Sequence, residues 1–134
     1  MHYLLDTNTV SDFFRQHPSV LTHFGQVAPS ELTISSVTVM EIEYGFARQP
    51  AARQKFGEIW AAFQHDVTVL EYTAPDAVAT GQLRAHLAGL GTPIGPFDLQ
   101  LAGTALVRRL TLVSNNTAEF IRVPGLTLQD WRQA

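Results

Sequence analysis

The stretch from Gly91 to Leu112, GTPIGPFDLQLAGTALVRRLTL, decides how the chain is read. Gly95 suits an N-cap and Pro96 the first helical position, so Asp98 falls in the first turn of a helix. Leu99, Ala102 and Leu106, flanked by Leu101 and Ala105, give that helix an apolar side, while Ala102, Gly103 and Ala105 permit close packing. A carboxylate at such a place sits over the core. Alone, Asp98 does no more than answer the helix dipole. Two further acids, Asp6 and Glu41, also stand where apolar strand patterns give way to helical ones.

Working outward, Tyr3–Leu5 reads as a buried strand with Asp6 at its C-terminal end, followed by a helix. A second helix begins near Pro18 and is expected to bury Val20, Leu21, Phe24 and Val27. Leu32–Ser35 is the second strand, and Ser36 a candidate N-cap for a helix through Arg48. On it, Val37, Met40, Tyr44 and Ala47 are expected to form the apolar face, with Glu41 beside them and Glu43 solvated. From Ala51 to Asp66, Phe56, Ile59, Trp60 and Phe63 follow helical spacing; such a stripe is core or a partner surface. Val67–Tyr72 is a third strand, Thr73 or Ala74 opens a helix to about Leu90, Thr111–Ser114 is a fourth strand, and Leu126–Leu128 a short fifth. This alternation predicts an α/β fold, a three-layer sandwich with a central parallel sheet of four to five strands, in a single domain over residues 1–134.

Composition narrows the chemistry. The 134 residues contain no cysteine, which removes disulfides, thiolate metal sites and thiol nucleophiles. The opening MHYLLDTNTV has no basic segment and reaches Asp6 after a short apolar run, so neither a signal peptide nor a membrane span is expected, and the location is read as cytoplasmic. The net charge is −3; of twelve acids, those other than Asp6, Glu41, Asp98 and Glu119 number eight, against nine basic residues. The negative excess thus lies where a divalent cation could neutralise it.

No GxGxxG, phosphate-loop lysine, GxSxG or HExxH pattern occurs, and His2, His17, His23, His65 and His86 lack ligand-like spacing. Carboxylates remain. Hard oxygen donors suit Mg²⁺ or Mn²⁺, which relieve the mutual repulsion of gathered acids and activate water for in-line displacement at phosphorus. A phosphoacceptor domain, in which a strand-end Asp takes a phosphoryl group around Mg²⁺, is the competing chemistry; it calls for a nearby lysine, and Lys55 is the only one.

The blocks LLDTNTVSDF, SSVTVMEIEYG, GTPIGPFDLQLAGTAL and LVSNNTAEFIRVPGLTLQDW, in that order, resemble the PIN-domain ribonucleases, and most closely the VapC-type toxins of prokaryotic toxin–antitoxin pairs. The resemblance spans the chain. It implies a Mg²⁺- or Mn²⁺-dependent endoribonuclease, a hydrolase acting on translation-related RNA such as tRNA or rRNA. By position, Asp6, Glu41 and Asp98 would be the metal ligands, Glu119 a further catalytic acid, and Thr7, Asn8, Ser114 and Asn116 substrate-side neighbours. Asn116 occupies a place where many relatives carry an acid, which leaves a catalytically decayed PIN fold, used for binding RNA or protein, as the alternative. The resemblance also implies a homodimer and a VapB-like antitoxin whose tail covers the acidic pocket, commonly with an arginine. The Phe56–Trp60–Phe63 stripe and the helices of the first half are the surfaces expected to serve those partners.

Overall fold

The computed structural model describes residues 1–133. Five strands, β1 (Tyr3–Leu5), β2 (Leu32–Ser35), β3 (Thr68–Leu70), β4 (Thr111–Val113) and β5 (Leu128–Gln129), form one sheet in the order β3-β2-β1-β4-β5. Every pairing is parallel, with Leu4 opposite Thr33 on one side and Leu112 on the other. The helices are α1 (Thr7–Phe14), α2 (Pro18–Gly25), α3 (Ser36–Arg48), α4 (Pro50–Asp66), α5 (Ala74–Gly89), α6 (Pro96–Arg108) and the single turn α7 (Thr117–Phe120).

Side chains alternate across a strand, so neighbours in sequence serve opposite layers. Leu5, Ile34 and Val113 face one core with Val10, Phe14, Ile42, Phe46, Trp60 and Phe63 from α1, α3 and α4. Leu4, Leu70 and Leu112 face the other, with Leu83, Leu87, Leu99 and Leu101 from α5 and α6. The three-layer parallel architecture expected from the alternation is the one observed. The chain winds from β1 toward β3 on one side and from β4 to β5 on the other, so the direction of winding reverses between β1 and β4. Ligands of open parallel sheets bind at the carboxyl ends of the strands flanking such a reversal.

Several local expectations are corrected. On α3 the buried stripe is Val37, Thr38, Ile42 and Phe46, whereas Met40 and Tyr44 are 42% and 59% exposed. The sequence carries apolar residues in two helical phases, and the one with Ile42 and the larger Phe46 faces the sheet. Leu21 is likewise exposed, because Val20 and Phe24 turn α2 inward. The N-cap of α3 is Ser35, whose hydroxyl accepts from Val37 N at 3.0 Å; Ser36 Oγ instead accepts from Tyr72 N. β3 begins only at Thr68, since the Val67 N–H still bonds Phe63 O at the end of α4. β5 lies slightly later than expected.

The aromatic stripe of α4 is core. Trp60 and Phe63 are 2% and 5% exposed, and Phe56 packs on the same cluster. Glu43 is not a free surface charge: it accepts from Trp60 Nε1 at 2.7 Å and pairs with Arg53, which together hold its carboxyl below the usual range. Among the described residues no helix is long and apolar enough to cross a membrane.

Candidate active site

Asp6 ends β1 and caps α1. Its Oδ1 accepts from Thr9 N at 2.8 Å, satisfying one of the helix's free N–H groups. Thr9 in turn donates from Oγ1 to Val113 O at 3.1 Å, tying the first turn of α1 to the end of β4. Asp6 is therefore fixed from two strands, and only 3% of it is exposed. Burial pushes its carboxyl above the ordinary range; the Ser114 hydroxyl and Thr9 act in the opposite direction, and the charge of Asp12 adds to the rise.

Ser114 follows β4, fully buried, and its Oγ accepts from Asn116 N at 2.9 Å. That bond bends the chain so that the Asn116 side chain turns toward α6. Asn116 Nδ2 donates to Asp98 Oδ2 at 2.9 Å and to Glu119 Oε2 at 3.0 Å. Asp98 lies in the first turn of α6 as the capping pattern predicts, after an N-cap at Gly95. Partial burial raises its carboxyl to about 6, with Asn116 opposing and the neighbouring Glu119 and Asp6 adding to the rise. The ends of β1 and β4 and the start of α6 thus gather Asp6, Asp98, Ser114, Asn116 and Glu119.

Glu41 is linked to this group through Thr7. Its Oε1 accepts from Thr7 Oγ1 at 2.7 Å, and Thr7 directly follows Asp6. It also lines a groove of about 250 Å³ with Thr7, Phe14, Phe46 and Phe56. Asn8 is exposed on α1. Among the described residues no three acids or histidines close into a ready-made metal cage. Uncompensated carboxylates repel, and the Asn116 amide occupies an oxygen of both Asp98 and Glu119. The donor set is nonetheless all hard oxygen, and the raised Asp6 and Asp98 carboxyls are those a divalent cation would stabilise in ionised form. The residues fit Mg²⁺ or Mn²⁺.

Two participants escaped the sequence reading. Thr9, which holds Asp6, was visible only as the third residue after a helix cap. Asp12, 6% exposed, receives both Arg132 Nε at 2.6 Å and Arg132 Nη2 at 2.9 Å. No local pattern announces that pair, because its members are separated by almost the whole chain.

The PIN domain family model matches residues 3–126. The chain is 37% identical to a tRNA(fMet)-specific endonuclease VapC of Salmonella typhimurium and 39% identical to the protein of that name from Shigella flexneri, in each case over 98% of both chains. Ribonuclease VapC2 of Haemophilus influenzae is 34% identical over the same shares. Among solved structures, the chain superposes on one from DNA-bound VapBC of Salmonella typhimurium with a TM-score of 0.89 at 38% identity, covering 98% of each chain. For VapBC2 of Rickettsia felis bound to a promoter DNA fragment the TM-score is 0.88 at 30% identity, covering 98% of this chain and 99% of that one. A buried strand-end aspartate facing an acid on α6, on a scaffold that matches these relatives from end to end, leads to one assignment: the chain belongs to the PIN-domain family, in its VapC-type ribonuclease branch.

Proposed function

We propose that this nuclease is the toxin of a toxin–antitoxin pair and hydrolyses RNA phosphodiester bonds with Mg²⁺ or Mn²⁺, with initiator tRNA as the first substrate to test. The observation that carries the reading is the joining of Asp98 to Glu119 through Asn116, beside buried Asp6, at the carboxyl edge of the sheet. The tRNA(fMet) specificity in the names of two full-length relatives supports the choice of substrate.

Asp6, Glu41 and Asp98 would hold the metal, which when bound supplies Lewis acidity for attack at phosphorus. The protein's own contribution is positional. Thr9 holds Asp6, Thr7 orients Glu41, and Asn116 keeps Asp98 and Glu119 aligned without adding charge. Ser114 braces the turn that carries Asn116. Thr7 and Asn8 flank the place where an RNA phosphate would sit.

The partner is a VapB-like antitoxin, in keeping with the VapBC complexes among the structural relatives. With the Phe56–Trp60–Phe63 stripe buried, the groove beside Glu41 is the better seat for its tail. A homodimer in the cytoplasm completes the reading.

The test is cleavage of initiator tRNA and total RNA by antitoxin-free protein, with Mg²⁺ or Mn²⁺, with chelator, and as Asp6→Asn and Asp98→Asn. Discrete fragments that require both metal and each acid are expected. Fragments from total RNA but not from initiator tRNA would replace the substrate. Absence of cleavage by the parent would favour the binding-only PIN fold that an uncharged Asn116 allows, and equal cleavage by the variants would remove Asp6 and Asp98 from the reaction.

A further inference from the structure

Helix α1 is eight residues long, and a helix that short keeps its place through contacts outside itself. Two polar ties hold it. Thr9 Oγ1 donates to Val113 O at 3.1 Å, and Asp12 receives Arg132 Nε at 2.6 Å and Nη2 at 2.9 Å. Thr9 and Asp12 are about 60° apart around the helix and about 4.5 Å apart along it, so both ties act on one side. Thr7 points about 140–160° away from them and presents its hydroxyl to Glu41 on α3.

Arg132 is itself anchored. Gln129 pairs with Val113 in the sheet, and Trp131 is buried against Tyr3 and Phe24 and stacks on His23 with ring centres 5.3 Å apart. Asp130 Oδ1 accepts from Arg132 N at 2.9 Å, and from that turn the guanidinium reaches back to α1. Asp12 stands in an unfavourable place: it is buried, and it lies in the last turn of α1, where the helix dipole opposes a negative charge. Apolar residues of similar volume commonly pack as stably as such a pair. What a forked ion pair adds is one fixed geometry. Asp12 holds the Arg132 charge most strongly, burial opposes it, and Asp130 and Asp6 add to it, so the pair lies within electrostatic reach of the acidic site.

We propose that Arg132 is a positioning residue of the nuclease: its fork on Asp12 fixes the rotation of α1, and so sets Thr7 against Glu41 and Thr9 against Asp6. The proposal rests on the ribonuclease reading above and gives the last residues of the chain a part in metal binding and cleavage. Without the fork, α1 keeps the Thr9 tie as a pivot. Turning about it moves Thr7 and frees Glu41 first. An unpaired Asp12 charge acting only through space would do the opposite, drawing a cation in more strongly.

The experiment compares wild-type protein, Arg132→Lys, Arg132→Ala and the core control Leu83→Ala, all antitoxin-free and at one pH. Calorimetry follows binding of Mn²⁺ alone, and cleavage of initiator tRNA gives kcat and KM separately. Arg132→Ala should weaken Mn²⁺ binding and lower kcat by about tenfold each, the low end for residues that orient metal ligands, with KM little changed. Arg132→Lys keeps the charge without the fork and should fall between. Leu83→Ala truncates the other core layer; it should melt earlier and keep wild-type constants. Mn²⁺ affinity retained or raised in Arg132→Ala overturns the proposal. An equal loss in Leu83→Ala also overturns it, because the effect would then be one of stability. If Arg132→Ala does not fold, wild-type constants in Arg132→Lys refute the positioning role and reduced ones support it. Wild-type protein that binds Mn²⁺ but leaves the tRNA whole places the failure in the choice of substrate, and calorimetry alone then decides the role of Arg132. Wild-type protein that does neither removes the ribonuclease reading together with this one.

Discussion

Asn116 Nδ2 lies 2.9 Å from Asp98 Oδ2, and the same amide reaches Glu119 at 3.0 Å. One neutral donor thereby bridges two acids that also face each other directly. Replacing it with a third carboxylate, Asn116→Asp, removes both bonds and adds repulsion. The metal-free variant should be less stable by about 1.5–3 kcal/mol, the scale for hydrogen bonds to charged groups, with exposure favouring the lower end. Mg²⁺ should raise the melting temperature of the variant more than that of the parent. Thermal unfolding with chelator and with Mg²⁺ checks both; equal responses would show that the amide is incidental.

The acids predict a pH dependence of defined sign. Asp98 has its folded carboxyl raised from 3.8 to about 6, so in that window the folded state holds more protons than the unfolded one. Stability of the metal-free protein should therefore fall as pH rises through the window and level off above it. Asp6, also raised, acts in the same sense. Asp76, held below its usual value because Arg108 and Thr73 outweigh the effect of burial, acts oppositely and only at more acidic pH. Urea midpoints in chelator test the slope, and added Mg²⁺ should restore stability chiefly above pH 6. A midpoint that climbs across this window would refute the assignment.

Gly103→Ala should destabilise the fold. The new methyl would meet Thr80 Oγ1 at 2.2 Å and Thr80 N and Cα at 3.0 and 3.1 Å. Overpacking of this kind costs about 1–3 kcal/mol. Adding Thr80→Ala should restore only part of the loss, since the backbone approach remains and the Tyr72 hydroxyl loses its 2.8 Å partner. Denaturant unfolding of the single and double variants reads the difference.

Removing Arg132 leaves Asp12 charged and 6% exposed. Breaking a buried pair costs about 3–5 kcal/mol; with 43% of the Arg132 side chain exposed, Arg132→Ala should cost about 1–3 kcal/mol. Because the Asp12 charge raises Asp6, its loss of a counter-ion should also move the pH dependence of RNA cleavage to higher pH. A purely structural pair would lower stability and leave that profile in place.

The layers and strand positions were legible because buried parallel strands and amphipathic helices carry strong periodic signals. Asp98 was legible because Gly95 and Pro96 mark a helix start. The rotation of α3 was not: Met40 and Tyr44 compete with Ile42 and Phe46, and only the facing sheet decides between the two phases. Glu43 read as solvent-exposed because its Trp60 partner lies on the next helix. Thr9, Asp12 and Arg132 depend on contacts between distant segments. The sequence also lists acids without distances, so the Asn116 amide that donates to both Asp98 and Glu119 becomes visible only in three dimensions.

The winding of the sheet has a consequence for the order in which the protein becomes dangerous. β1 pairs on one edge with β2, close behind it, but on the other with β4, which begins at Thr111. A growing chain that already contains Asp6, Glu41 and Asp98 still lacks the strand that holds Thr9 and the Ser114–Asn116 turn. The contacts that join Asp98 to Glu119 and tie Thr9 to β4 form only after nearly the whole sequence is available, so the folding of the acidic cluster is coupled to the last segment of the chain.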